Sequence, residues 1–427
     1  MNTYYRTESI IIKDKNKISY LQNLLSLNTQ LYNKITYHLR QYTIRQFKNN
    51  ISIENIKFLK QSHIENLLKE DLSLKYNLEI LAANSIQQLI RKCLTNFESY
   101  RKAIISYNKN KSKFLNKPKL PNYKKKNNQL STIIIAGQTL CKGCKKDKLK
   151  DNQFFLPKSD FLIGSRIDRK YIKEVRILKI HQYIKIEIIY KKEINSQLKE
   201  FNECNSYFGI DLGVNNLASI TSNDKYLSFI INGRVLKSIN QFFNKRKSKL
   251  QSDLKLKHSK DWSTRLSILT YKRNNRINDY LHKASKKIIE MALSNGIDCL
   301  IIGKNDGWKQ NINLSKKTNQ SFTNIPHARF IELIKYKAEE VGMRVEIVEE
   351  SYTSKIDHLS NENLCKQKIY SGKRIKRGLF KSASGRLINA DINGSIGILR
   401  KKKVISDIQL LNLGYRGDVV SPTIIKL

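Results

Sequence analysis

Four acidic side chains stand where their surroundings would otherwise call for apolar residues or a plain helix start. Asp211 sits inside "SYFGIDLGVNNLASI", residues 206–220, between Ile210 and Leu212. Asp391 opens "LINADINGSIGILRKK", which reads as a closing helix, and Glu349 and Glu350 lie in "RVEIVEES", which reads as a strand. Carboxylates brought together from such distant segments suit phosphodiester hydrolysis. Charge develops there on both the attacking and the leaving oxygen, and two Mg²⁺ ions about 4 Å apart neutralise it when carboxylates converge on them. Mg²⁺ prefers hard oxygen ligands, so Asp and Glu are the residue types that chemistry needs.

The elements that must position these acids follow from periodicity. Residues 4–13, "YYRTESIIIK", read as a strand and are followed by a helical region. Its clearest helix carries Ile86, Ile90, Cys93, Phe97, Tyr100 and Ile104 in steps of three and four, an apolar packing stripe. "STIIIAG" and the alternating "YIKIEIIY" at 183–190 then mark a β-rich module that pairs with the first strand. The Asp211 segment is one arm of a hairpin closed by the tight turn "GVNN". A long helix over 264–294, a buried strand "IDCLIIG", a helix over about 326–341 and the strand "RVEIVEES" complete an α/β order. An Asp on a central strand, an acid on a later one and an Asp opening the last helix is the pattern of an RNase H-like core.

Composition narrows the partners. Of 427 residues, 80 are Lys or Arg and 36 Asp or Glu, a net charge of +44 that repels itself unless a polyanion neutralises it. Abundant Lys, Asn and Ile with scarce Gly and Pro also point to an AT-rich gene, which contributes to the excess. Residues 108–128, "NKNKSKFLNKPKLPNYKKKNN", contain no acid, two prolines and the rings of Phe114 and Tyr123. Such a stretch is a loop, lying along a phosphate backbone or solvated as a linker. No apolar run approaches the ~20 residues of a membrane span, and the start lacks a signal-peptide pattern, so a cytoplasmic protein is expected. Six scattered cysteines read as reduced thiols. Only Cys141 and Cys144 in "CKGC" have ligand spacing, and without a second close pair a polar turn is the reading preferred over zinc.

Five motifs in order, "GIDLGVNNLASI", "LHKASKKIIEMA", "GKNDGWKQ", "EESYTSK" and "NADINGSIGILRK", resemble the TnpB family of transposon-encoded RNA-guided DNA endonucleases, which is related to the type V CRISPR effectors. "SIQQLIRKCLTNFESYRKAI" and "KPKLPNYKKK" extend the resemblance upstream over nearly the whole chain. The resemblance implies an α/β RuvC-like nuclease domain with an RNase H-like core over 206–410, carrying a basic insertion at 361–385. It also implies a wedge β-barrel domain from 1–17 and 129–205, a helical recognition domain at 18–128, and a C-terminal tail at 411–427. It further implies a guide RNA from the transposon end and a double-stranded DNA target, in a prokaryotic, nucleoid-associated setting. Base pairing would then read sequence while the protein reads shape and backbone. Lys117, Lys119, Tyr123, Lys124, Lys125, Lys309, Lys373, Arg374 and Arg377 are the residues expected on nucleic acid.

Asp211 and Asp391 match the family's first and last catalytic acids. The middle one departs: most relatives place a Glu at the end of the strand written here "CLIIGKND", where Gly303 stands, and Asp306 falls in the following loop. Either the middle acid is lost and the protein binds DNA without cutting, or it has moved to a neighbouring strand. Glu350, with Glu349 as the alternative, is expected as the relocated ligand, because successive strand residues face opposite ways and only one of the two can reach the aspartates. Solvated edge charges are the competing account of that pair. The catalytic and metal-holding set is thus Asp211, Glu350 and Asp391, with two Mg²⁺ ions as cofactor.

Many relatives carry two CxxC pairs before the last Asp; only Cys365 occurs there, so no structural zinc is expected and "GKRIKRG" reads as a zinc-free basic loop. His282 reads as a core residue, Trp308 as a packing anchor or stacking ring, and Thr353 and Ser354 as hydrogen-bonding neighbours of the site. The function expected is RNA-guided DNA cleavage by a two-metal route. A nuclease-inactive guided repressor and a guide-independent RuvC-type nuclease are the rivals. Intact aspartates argue against the first, and the long basic N-terminal half against the second.

Overall fold

The computed structural model describes residues 2–125, 130–141, 149–194, 197–305 and 324–427. The chain divides into two units, Met1–Glu193 and Ile194–Leu427.

In the first unit, strand β1 (Asn2–Ile12) leads into the 34-residue helix α1 (Lys15–Lys48), whose start is capped by Asp14 accepting from the Lys17 amide at 2.8 Å. Two short helices, α2 (Gln61–Glu70) and α3 (Lys75–Ile80), precede α4 (Ala83–Lys109). The stripe read from the sequence is the inner face of α4: Ile86, Ile90, Cys93, Phe97 and Ile104 are buried. Strands β2 (Ile133–Ala136), β5 (Ile172–Ile180) and β6 (Tyr183–Ile194) join β1 in a sheet ordered β1-β6-β5-β2, and β3 (Gln153–Phe155) pairs with β4 (Leu162–Gly164). Helices and strands share one core: Leu21, Leu25 and Phe97 belong to the same cluster as Val175, Ile177 and Ile186.

The second unit is built on a six-stranded sheet ordered β11-β10-β7-β8-β9-β15. Strands β7 (Tyr207–Leu212), β8 (Asn216–Ser222) and β9 (Ser228–Asn232) form an antiparallel meander. Helices α5 (Arg234–His258) and α6 (Thr264–Ser294) lead to β10 (Cys299–Gly303), which lies parallel to β7. Helix α7 (His327–Glu340) leads to β11 (Arg344–Val348), parallel to β10. Apolar residues of α6 and α7, among them Leu281, Ala284, Ile288, Phe330 and Ile334, cover one face of the sheet together with Phe208, Ile210 and Ile302. The opposite face receives α8 (Ala390–Lys401), which follows a small sheet of β12 (Lys373–Lys376), β13 (Leu379–Lys381) and β14 (Leu387–Asn389). This is the strand order of an RNase H-like core with one strand added.

Two expectations change. The basic stretch read as a loop is a β12–β13 hairpin, turned at Gly378 with φ +85° and anchored by buried Phe380. Residues 411–427, expected as a tail, return to the sheet. After α9 (Asp407–Leu413) and α10 (Gly417–Val420), β15 (Thr423–Ile425) pairs in parallel with β9, because an apolar "TII" finds an open sheet edge there. No described helix is long and apolar enough to cross a membrane.

Candidate active site

Asp211 is the fifth residue of β7, and side chains along a strand alternate between faces. Phe208, Ile210 and Leu212 therefore point into the α6/α7 core, while Gly209 and Asp211 face α8. The helix comes close because glycines line the contact. A Cβ on Gly209 would lie 2.4 Å from the Ser395 carbonyl oxygen, and one on Gly394 would lie 2.6 Å from Asp211 Oδ2. Any larger residue at Gly394 would displace the carboxylate.

Asp391 stands in the first turn of α8. Asn389 caps that helix by accepting from the amides of Asp391 (3.0 Å) and Ile392 (3.3 Å), and a helix start favours an anion. Both Asp391 oxygens have partners. Asn216 Nδ2 donates to Oδ2 at 2.6 Å and Arg374, on β12, reaches Oδ1 at 3.4 Å.

Glu349 and Glu350 lie just past the end of β11 rather than on it, so strand alternation does not separate them. The loop does. Glu349 is exposed, whereas Glu350 is drawn in by Asn305: the Glu350 amide donates to Asn305 Oδ1 (3.0 Å) and Asn305 Nδ2 to Glu350 Oε1 (3.4 Å). Thr353 Oγ1 donates to the Glu350 carbonyl at 2.8 Å. Glu350 Oε2 is buried without a hydrogen-bond partner among the described residues, and it lies 2.8 Å from where a Cβ on Gly303 would stand. The carboxylate of the neighbouring strand thus occupies the space left by the glycine at the end of β10.

The electrostatics tie the acids together. The Asp211 carboxyl is held well above the usual range, first by burial and then by the negative charges of Glu350 and Asp391; the Leu212 amide and Arg374 oppose this. Burial pushes Glu350 up to about 7, with Lys401 pulling the other way. Among the described residues, no three His, Cys, Asp or Glu side chains gather closely enough to hold one ion as they stand. The acids meet through Asp211, at Coulombic rather than ligand-sharing range.

Behind the site, buried His358 donates from Nε2 to the Thr353 carbonyl (2.7 Å) and accepts at Nδ1 from Arg400 (3.0 Å), in a space kept open by Gly397. Burial, with the Arg400 charge, drives its pKa down to about 4. Asp357 accepts from Ser360 Oγ (2.8 Å), Ser382 Oγ (2.8 Å) and the Ala383 amide (2.7 Å), and Glu362 from the amides of Asp357 (2.7 Å) and Ser371 (2.8 Å). These two carboxylates knit the insertion that carries the hairpin.

The other expected residues separate by environment. Lys373, Arg374 and Arg377 are exposed on the hairpin. In the first unit Lys117, Lys119, Tyr123 and Lys125 are exposed, on a segment pinned to α1. Asn33 bonds the Lys124 amide (2.8 Å) and carbonyl (3.0 Å), and Arg40 donates to the Pro121 carbonyl (2.8 Å). The Arg40 guanidinium sits 5.5 Å from the Tyr123 ring centre, and Lys124 lies over Tyr32. His282 is exposed on α6 rather than in the core, because the apolar stripe of that helix runs through Leu281 and Ala284 beside it. Lys309, Trp308, Asp306 and Cys144 lie outside the described residues.

Sequence reasoning missed Asn216, Asn305 and Gly394. The "NADI" pattern does announce the Asn389 cap, but nothing local couples Asn216 to an acid 175 positions away.

The sheet order defines an RuvC-type fold. Residues 187–309 match the OrfB_IS605 family (probable transposase), and residues 327–398 match the Cas12f1-like TNB domain. A TnpB-like protein of Methanocaldococcus jannaschii is 28% identical over 207 residues, covering 46% of this chain and 71% of that one. In fold, the chain is similar to the protein in a Cas12f1–sgRNA–target DNA complex, with a TM-score of 0.52 and 16% identity over 91% of this chain and 83% of that one. Over these segments the chain is similar to TnpB-type proteins.

Proposed function

We propose that the protein is an RNA-guided DNA endonuclease whose RuvC-like site uses Asp211, Glu350 and Asp391. The observation that carries this is the exchange at the end of β10: Gly303 leaves a gap, and the buried, unpartnered Oε2 of Glu350 fills it. A buried carboxylate oxygen without a donor costs about 1–3 kcal/mol or more, which makes little sense as a surface charge.

In chemical type the donor set suits Mg²⁺. All three groups are hard oxygens, two of them have raised pKa values, and one has an oxygen with no other partner. When bound, such ions would lower the pKa of the attacking water and stabilise the leaving 3′ oxygen. Asn216 holds one Asp391 oxygen in place, Asn305 orients Glu350, and Gly394 lets Asp211 lie against the first turn of α8. Arg374, exposed beside Asp391, offers a donor to a phosphate oxygen of the bound strand. The basic segment 108–125 and the β12–β13 hairpin supply cations for guide RNA and target DNA.

A second reading, a guided repressor that binds without cutting, draws support from the spacing of the acids, no three of which gather tightly as they stand. Sequencing the RNA that co-purifies, with plasmid cleavage in Mg²⁺ by wild type, Asp211→Ala and Glu350→Ala, separates the readings. Cutting lost in both variants is expected. Cutting by Glu350→Ala would refute the relocated acid, and bound RNA with no cutting by wild type would favour the repressor.

A further inference from the structure

The acid site does not account for the helix that follows β9. We propose that the outer face of α5 is a cationic arm that binds the backbone of the DNA strand approaching the acids; this rests on the reading of the chain as a DNA endonuclease.

The arm leaves from the catalytic end of the sheet. Asn232, the last residue of β9, pairs with Asn216, whose side chain holds Asp391. There the Tyr280 hydroxyl donates to the Asn232 carbonyl, and further out Arg273 Nε donates to Asn240 Oδ1 at 2.8 Å. The two helices therefore run antiparallel, with 273 level with 240. The α6 residues that pack on the sheet begin at Ile277, and from α5 only Leu236 and Ile239 join that core. Everything further along α5 lies outward of the acid end, and at 1.5 Å per residue the stretch from Asn240 to His258 reaches about 28 Å.

Most of the charge on this arm has no carboxylate partner among the described residues. Helix α5 carries Arg234, Lys237, Lys245, Arg246, Lys247, Lys249, Lys255 and Lys257 against a single acid, Asp253. Among the described residues only Lys255 has a carboxylate partner, Asp261 at 3.6 Å. Arg234, Lys245, Arg246 and Lys249 are exposed, and Lys245 and Lys249 fall one turn apart on the side opposite Leu236 and Asn240. Like charges so spaced destabilise a helix, and a polyanion relieves them. Among these cations the Phe242 ring is 56% exposed, with the Arg246 guanidinium 5.9 Å from its centre. A ring on a cationic face suits an unpaired base above a phosphate track, which favours a single strand as the occupant.

The test uses the full chain with whatever RNA it retains, and a labelled single-stranded DNA oligonucleotide titrated over a range of salt. Since log Kd for a single strand rises with log salt by about 0.7 per phosphate contact, Lys245→Gln/Arg246→Gln/Lys249→Gln should reduce that slope by about 2, while the co-purifying RNA is unchanged. An unchanged slope overturns the proposal, as does loss of RNA with the DNA slope intact, which would give the arm to RNA. Independently of any variant, bound DNA should shield Lys245 and Lys249 of wild type from acylation, and unshielded lysines overturn the proposal. If wild type binds but never cuts, the endonuclease reading fails while the slope still decides the arm.

Discussion

The two ends of the acid row carry the same charge in opposite surroundings. At the Asp391 end the side chain is 35% exposed, sits at a helix start and has Asn216 and Arg374 on its two oxygens. At the Glu350 end one oxygen has only a distant amide, and the other is buried with no partner. A partnered carboxylate is at rest in the folded protein, whereas a buried unpartnered one carries an unpaid desolvation cost that a cation or a proton removes. The Glu350 end is therefore where binding chemistry should be most visible, and the Asp391 end where geometry is fixed.

The largest effects should come from breaking the Gly303–Glu350 exchange. Glu350→Gln should reduce DNA cutting below detection, and Gly303→Glu should do the same by pushing the carboxylate out and adding a like charge. The pair Gly303→Glu/Glu350→Gly, which returns the acid to β10, should recover measurable cutting; a double variant as dead as the singles would mean that the two positions do not share one role. At the other end, Asn216→Ala removes a partner of a proposed ligand rather than the ligand itself, and a loss of about 10–100-fold in cutting rate is expected. A rate equal to wild type would show that Asn216 does not hold Asp391 in the working enzyme.

The pH dependence of stability sharpens the contrast. Glu350 binds its proton more tightly when folded, with a pKa of about 7 against an ordinary 4.5. Its contribution is fully present below the unfolded value and is lost as pH rises through the folded one, by up to about 3 kcal/mol. Without divalent ions the melting temperature should therefore fall from about pH 5.5 to about pH 8, Mg²⁺ should reverse the fall, and Glu350→Gln should make it smaller, leaving the part that buried Asp211 contributes. His358 works the other way. With its folded pKa near 4, its contribution is present above the ordinary 6.5 and is lost as pH falls through 4, so His358→Gln should flatten the acid limb of the melting curve. The smallest effect belongs to exposed Glu349: Glu349→Gln should change cutting by no more than roughly 2-fold, since exposed charges contribute little. A large loss there would exchange the roles of the two glutamates.

Much of the fold was legible because its signals are local. The stripe along α4, the "GVNN" hairpin, the alternation of β6 and the Asn389 cap each follow from spacing within a few residues. The insertion was misread because four consecutive exposed residues in β12 show no alternation; buried Phe380 and the turn at Gly378 make the hairpin. Likewise β15 has no meaning until β9 offers an open edge.

By itself the sequence placed acids on a strand, on or near a later strand and at a helix start, and it gave the chain a large excess of positive charge. It could do so because residue type and period are properties of short segments. Only the tertiary structure decided which glutamate turns inward, that Gly303 makes room for it, and that Asn216 and Gly394 shape the aspartates. Those outcomes depend on distances between segments far apart in the chain, set by how closely α8 and the end of β10 can pack, and no local pattern encodes them.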